Sequence, residues 1–301
     1  MTIRRATGEP GGFNAPAEFS VPSVSGSAGG TIHSGAATRA GLISARNVWV
    51  YPEGNRQAPP ILSDISVDMS AQSTAILGLN GSGKSTFLGL FNALTFPDYG
   101  TIMVHDHNAL TSTDALKKYA GMIFSDPAAQ LLMPTPVEDI EMSLRRLVLP
   151  DGRVLSRAER RERALRILRE YGLEHKAHQS VYSLSGGERQ LVAFASVLAV
   201  EPSVLLLDEP TTLLDARNRS RLISLLESLP QQLVISTHDM DLARSCQQAI
   251  IIHSGRIIAR GAAPDMVDLY EHYCASSFPG ESAPDVSTPN FGQNFTQNTE
   301  H

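Results

Sequence analysis

Residues 78–85 read Gly-Leu-Asn-Gly-Ser-Gly-Lys-Ser, which fits the pattern G-x-x-x-x-G-K-[ST] and restricts the fold more than any other stretch of the chain. Such a loop needs a strand to deliver it and a helix to leave it. Both flanks comply: residues 74–77 are apolar, and residues 86–94 suit a helix. The glycines let the backbone wrap a polyphosphate with successive N–H groups turned inward, and the helix dipole adds to their pull. Gly78, Leu79, Asn80, Gly81, Ser82, Gly83, Lys84, Ser85 and Thr86 are therefore the candidate nucleotide-binding positions. Lys84 would reach the β and γ phosphates, and the Ser85 hydroxyl would ligate Mg²⁺. A Gly-rich turn ahead of an ordinary helix is the structural alternative, and the strand–loop–helix setting disfavours it.

Two further stretches carry chemistry. Residues 203–209 read Ser-Val-Leu-Leu-Leu-Asp-Glu, an apolar strand ending in two carboxylates. A buried strand holds Asp208 rigidly, where it can position Mg²⁺, and places Glu209 to accept a proton from an attacking water. Solvent-exposed acids at a strand end are the alternative. Residues 184–190 read Leu-Ser-Gly-Gly-Glu-Arg-Gln, two glycines behind a Ser cap at the start of a helix. That is a second anion-facing helix start. One triphosphate does not need two such ends from one chain, so this one is expected to serve a nucleotide held by another chain.

Composition narrows the class. Hydrophobic residues make up 42% and charged residues 19%, ordinary for a globular protein. A formal net charge of −6 gives no electrostatic case for nucleic-acid binding. The two cysteines, Cys246 and Cys274, have no metal-like spacing and point to a reducing compartment without a disulfide framework. No run approaches the ~18 apolar residues of a membrane-spanning helix. The chain is therefore expected to be cytosolic or peripheral, with any membrane role coming through partners.

Along the chain, residues 1–40 are rich in Gly, Ser and Ala and residues 275–301 in Ser, Pro, Asn and Thr, so both read as disordered tails. A folded unit is expected over residues 41–274. Residues 42–50 and 65–69 read as strands joined by a Pro- and Gly-containing turn at 52–60. Further strands are expected at 102–104, 121–124, 203–208, 232–237 and 249–253. The arginine-rich stretch 157–171 reads as a helix with a solvated face. Apolar strands alternating with helices indicate an α/β fold with a mostly parallel sheet.

Taken together, the loop at 78–85, the strand ending in Asp208 and Glu209, and the Leu-Ser-Gly-Gly-Glu-Arg-Gln stretch resemble the ATP-binding cassette (ABC) family over roughly residues 42–265. The resemblance implies a P-loop NTPase with a mostly parallel core sheet, an N-terminal antiparallel β subdomain and a helical signature subdomain at about 125–200. It implies signature residues Ser185, Gly186, Gly187 and Glu188 acting on a partner's ATP. Tyr51 falls where the family stacks an aromatic on adenine, Asp215 closes the D-loop, and His238 stands where the family has its switch histidine. Alone, Tyr51 would read as turn packing and His238 as a helix cap. The implied assembly is a head-to-tail dimer, homomeric or heteromeric, with two ATP molecules between its subunits. Lys84, Glu209 and His238 would be catalytic, and Ser85 and Asp208 would hold Mg²⁺.

The chain has one cassette and no membrane segment, and the interval from Ser85 to Ser185 leaves no room for the long coiled coil of chromosome-structuring relatives. Residues 124–132 and 134–140 (Phe-Ser-Asp-Pro-Ala-Ala-Gln-Leu-Leu, then Pro-Thr-Pro-Val-Glu-Asp-Ile) are similar to a stretch typical of energy-coupling-factor importers and their cobalt, nickel and biotin relatives. A Pro-rich loop is the plain alternative. In that group Gln130 would belong to a short helix docking on a transmembrane coupling subunit, which itself accompanies a substrate-binding membrane subunit. The family's Q-loop glutamine falls at Ser125, a further candidate Mg²⁺ and coupling position whose hydroxyl lacks the amide's reach. Leu213 is bulkier than the family's usual D-loop residue. The sequence thus implies an importer ATPase subunit. A soluble non-transport ABC ATPase, or a slow regulatory nucleotide-binding subunit, are its alternatives.

Overall fold

The computed structural model describes residues 43–276 apart from 54, 150 and 213. The tails expected at 1–40 and beyond 276, and Leu213, lie outside the described residues. Among the described residues, ten strands and eight α-helices follow one another: β1 Ile43–Val50, β2 Leu62–Met69, β3 Ser73–Leu77, α1 Lys84–Gly89, β4 Tyr99–Val104, β5 His107–Asn108, α2 Thr113–Tyr119, β6 Ala120–Ile123, α3 Pro136–Ser143, α4 Arg157–Glu170, α5 Gly186–Leu198, β7 Val204–Asp208, α6 Ala216–Ser228, β8 Gln232–Ser236, α7 Met240–Ser245, β9 Gln248–His253, β10 Arg256–Ala262 and α8 Ala263–Ser276.

The strands form two sheets. An antiparallel sheet of four has the order β2-β1-β4-β5, and a sheet of six has the order β10-β9-β3-β8-β7-β6. Within the larger sheet every pairing from β9 to β6 is parallel, and β10 alone runs antiparallel, on β9. The parallel strands are buried along their lengths, as strands covered on both faces must be: β7 and β8 are buried at all five positions. In β2 exposed and buried residues alternate, because one face of the antiparallel sheet meets water.

Three cores hold the layers. Between the two sheets, Ile43, Leu62, Ile102 and Ile76 enclose α1, whose Phe87 is fully buried and meets Phe91 edge-on at 5.1 Å. On the opposite face of the larger sheet, Leu205 and Leu207 pack with Phe194, Leu222, Leu226 and Val267 from α5, α6 and α8. A helical subdomain gathers Val137, Ile140, Leu168 and Val192 from α3, α4 and α5. Asp139 is buried there, accepting hydrogen bonds from Leu132 N (2.9 Å), Met133 N (3.1 Å) and Ser196 Oγ (2.7 Å). Those three donors satisfy the carboxylate that the apolar surroundings would otherwise penalise.

The helix expected over 86–94 is shorter. It stops at Gly89 and continues as a single 3₁₀ turn to Asn92, because Ala93 adopts the left-handed conformation (φ 58°). Residues 275 and 276, read as tail, instead complete α8.

Candidate functional site

The loop that opens α1 leaves β3 between its neighbours β8 and β9, and it can pass there only as glycine. A Cβ at Gly78 would lie 2.3 Å from the Ile252 carbonyl oxygen. At Gly83, with φ 104°, it would lie 2.7 Å from Leu62 Cδ2 and 3.1 Å from the Ile61 carbonyl. The loop therefore sits pinned between the two sheets, stitched further by the Gly255 N–H to the Ser82 carbonyl at 3.1 Å.

A cavity of about 270 Å³ opens over this loop, lined by Asn80, Gly81, Gly83, Lys84, Ser85 and Thr86 together with Ile61, Asp208 and Glu209. Lys84 is buried and folds back on the loop, donating to the Gly78 carbonyl at 2.8 Å and the Leu79 carbonyl at 3.3 Å. Burial draws its ammonium below the usual lysine range, and the charges of Glu209 and then Asp208 oppose that shift.

Asp208 is the last residue of β7, buried, with Oδ1 accepting from Ser236 Oγ at 2.9 Å. Glu209 follows in the left-handed conformation (φ 51°), its N–H donating to the Ser236 carbonyl at 2.9 Å. That turn aims the carboxylate sideways into the cavity. Its Oε2 accepts from His238 N at 3.1 Å. Its Oε1 is buried and accepts no hydrogen bond, though it lies 3.2 Å from His238 Nε2 and 3.9 Å from Lys84 Nζ. Ser82 Oγ is likewise buried without a partner. Glu209 lines the cavity, so its unpartnered oxygen is free to meet a polar ligand there.

His238 leaves β8 and reaches back across the loop. Its Nε2 lies 3.0 Å from Asn80 Oδ1 and 3.2 Å from Lys84 Nζ. One tautomer has Nε2 donating to Asn80 Oδ1, the other has it accepting from Lys84 Nζ.

A model of the family described as "ABC transporter" matches residues 62–212, half the chain. The biotin transport ATP-binding protein BioM of Rhizobium etli is 34% identical over 214 residues, covering 71% of this chain and 92% of that protein. The chain belongs to the ABC transporter family. It is one of the family's ATPases. Among solved structures, cbiO1 from Clostridium perfringens, part of the ABC transporter complex cbiONQ, superposes with a TM-score of 0.64 at 28% identity, covering 77% of this chain and 93% of that one. A dimeric post-hydrolysis structure of the ATP-binding cassette MJ0796, bound to ADP and Pi, superposes with a TM-score of 0.63 at 28% identity, covering 73% and 98%.

Ser185, Gly186, Gly187 and Glu188, expected from the sequence to form the signature, do not line the cavity. Ser185 caps α5 in a reciprocal box: Ser185 Oγ accepts from Glu188 N (3.3 Å), and Glu188 accepts from Ser185 N (2.8 Å). The bond from Ser185 N holds the Glu188 carboxyl below its usual range. Ser185 and Gly186 are exposed, and nothing lies within 4 Å of a Cβ built at Gly186. Asp215 caps α6 through Asn218 N at 2.8 Å.

Tyr51 lies in an aromatic group on the antiparallel sheet, stacked on Trp49 (6.5 Å) and edge-on to Tyr99 (6.4 Å). Tyr51 does not line the cavity; its neighbour Val50 accepts from Ile61 N at 2.7 Å, and Ile61 does line it. Ser125 is exposed just past the end of β6. Gln130 ends a 3₁₀ turn, Pro127–Gln130, and its amide is spent inside its own loop: Oε1 accepts from Phe124 N (2.9 Å), and Nε2 donates to the Met122 carbonyl (3.0 Å). It shapes the loop rather than reaching outward.

Three residues of the site carry no motif of their own in the sequence. Ser236 orients Asp208, Ile61 walls the cavity, and Asp239 ties the turn of His238 to Arg219. Only Asp239 gives a local signal, as an N-cap acid ahead of α7.

Proposed function

We propose that the chain is the ATPase subunit of an energy-coupling-factor type importer, binding ATP on residues 78–86 and hydrolysing it to ADP and phosphate. The observation that carries the catalytic reading is the orphaned Glu209 Oε1, buried in the same cavity as Lys84, Ser85 and Asp208. In this reading Lys84 exchanges its loop carbonyls for β- and γ-phosphate oxygens. Glu209 Oε1 takes the proton of the attacking water, and His238 lies against the γ-phosphate. Ser85 and Asp208 fit a hard divalent cation: both line the cavity, and Asp208 keeps acceptor capacity beyond its bond from Ser236. Mg²⁺ bound there would neutralise phosphate charge.

The cavity is walled by the loop and strand ends of one chain, and the exposed signature turn stands away from it; this supports a head-to-tail dimer in which Ser185–Gly187 of a second subunit completes the site. The dimeric ADP-bound cassette supports the same arrangement. The likeness to BioM and to part of the transporter complex cbiONQ supports membrane partners and, through BioM, biotin as cargo. Docking near residues 125–140 and cobalt or nickel as cargo rest on the sequence resemblance of residues 124–140 alone.

The test is ATP hydrolysis by the purified chain, alone and with its co-purified membrane partners. Glu209→Gln is expected to lower kcat at least ~100-fold while ATP binding persists. Equal activity in the variant and the wild type would remove Glu209 from the mechanism. Ser125 favours a second reading, a slow ATPase, since its short hydroxyl stands exposed where an amide would span further. Ser125→Gln is then expected to raise the rate of the assembled complex several-fold, about 3–10 times; an unchanged rate would make position 125 a bystander.

A further inference from the structure

The first turn of α6 touches both the signature turn and the residue beside His238. Asp215 caps this turn and also accepts from Asn218 Nδ2 at 3.1 Å, which fixes the amide. The fixed amide lies against the signature: a Cβ built on Gly187 would meet Asn218 Nδ2 at 3.1 Å and its Cγ at 3.2 Å. One residue on, Arg219 grips both carboxylate oxygens of Asp239 with Nε and Nη2. Nη2 also reaches Asp241 Oδ2 at 2.8 Å.

Asp239 is itself held from several sides. It accepts from Leu242 N at 3.1 Å as the cap of α7, and its own N–H donates to Thr237 Oγ1 at 3.0 Å. The backbone N–H of the adjacent His238 donates to Glu209 Oε2, and the His238 ring reaches Asn80 and Lys84. Close approach, chain adjacency and hydrogen bonds together therefore link Gly187 to Asn218, its neighbour Arg219, Asp239, the adjacent His238 and Glu209.

The middle link is the strong one. A two-pronged guanidinium–carboxylate pair fixes geometry as well as charge, and the Asp239 side chain is only 11% exposed. The Asp241 contact, to a side chain 81% exposed, adds little.

We propose that Arg219 is a positioning residue that couples two nucleotide sites: contact at the signature turn sets the placement of His238 and Glu209 in the same chain's own site. This rests on the head-to-tail reading above, in which the signature turn meets the nucleotide held by a second copy. Occupancy of one site would then bias the geometry of the other, which is what cooperative hydrolysis requires.

The experiment measures steady-state hydrolysis by the purified full chain against ATP concentration, with dimerisation of Glu209→Gln in saturating MgATP followed separately by light scattering. The wild type is expected to be sigmoidal, with a Hill coefficient of about 1.5 to 2 for two coupled sites. Arg219→Met and Asn218→Ala are each expected to bring it to about 1, with kcat of Arg219→Met down about tenfold and affinity for a non-hydrolysable ATP analogue within about twofold. Arg219→Lys, which keeps the charge and loses the fork, is expected to recover the rate only in part. Asp241→Asn is expected to behave as wild type. Should Arg219→Met fail to fold, Asn218→Ala decides, because it leaves the ion pair intact. A Hill coefficient of 1 in the wild type, or one unchanged in both variants, overturns the coupling while dimerisation of Glu209→Gln keeps the head-to-tail reading standing. Failure of Glu209→Gln to dimerise overturns both.

Discussion

Lys84 spends its ammonium on the Gly78 and Leu79 carbonyls, and a nucleotide offers it better acceptors. A phosphate anion adds Coulomb attraction for the ammonium that a neutral carbonyl does not supply, so the exchange favours binding. Lys84→Ala is therefore expected to weaken ATP affinity by at least ~100-fold, about 3 kcal/mol, measured by calorimetry with a non-hydrolysable analogue. The loop is pinned at Gly78 and Gly83 by backbone contacts that do not involve Lys84, so circular dichroism of the variant is expected to match the wild type. Retained affinity would overturn the phosphate-binding role. At this scale the sequence was most legible where a motif is contiguous: Gly78, Lys84, Ser85, Asp208 and Glu209 share one cavity or border it. It was silent on Ser236 and Arg219. Their partners lie 28 and 20 residues away, and serine or arginine alone carries no spacing that names a partner.

Two helix starts have a Ser three residues ahead of a Glu. Ser185 with Glu188 and Ser156 with Glu159 both form complete capping boxes. At α4 the Ser156 hydroxyl and N–H, followed by Arg153, hold the Glu159 carboxyl down to about 2 from its ordinary 4.5. A depressed carboxyl stabilises the fold above the unfolded value and loses that effect as pH falls through the folded one. The urea midpoint of wild type is thus expected to exceed that of Glu159→Gln above pH 4.5, and the gap is expected to close between 4.5 and about 2. A gap independent of pH would remove the carboxylate as its source. Other elements left weaker marks. β10 pairs on one side only, so its residues alternate between partly and fully exposed, and no apolar run announces it. In α8 the buried positions Val267 and Tyr270 lie well before its last residues, Ala275 and Ser276, which carry no apolar periodicity and so read as the start of a polar tail.

At the scale of the molecule, the parallel sheet was legible because its central strands are buried on both faces, while the division of labour between surfaces was not. The site residues gather at the ends of β3, β7 and β8, the signature turn stands clear of them, and a third surface lies on the loop from Phe124 to Met133. That loop is stiff from within: Gln130 closes it onto β6, and Asp139 ties Leu132 and Met133 to α3 and, through Ser196, to α5. On this rigid frame Leu132 is 70% exposed and Phe124 38%, apolar side chains held outward beside the exposed Ser125. Holding them there costs hydration free energy that a membrane subunit's apolar contact would recover, about 1.5–3 kcal/mol for one leucine. Because the backbone bonds of Leu132 do not depend on its side chain, Leu132→Asp is expected to leave ATP affinity and the urea midpoint of the isolated chain unchanged. The same change is expected to cut recovery of the membrane subunit in detergent co-purification by about tenfold or more, the loss of one leucine's burial with an added charge to desolvate. Full recovery with Leu132→Asp would move the docking surface away from this loop.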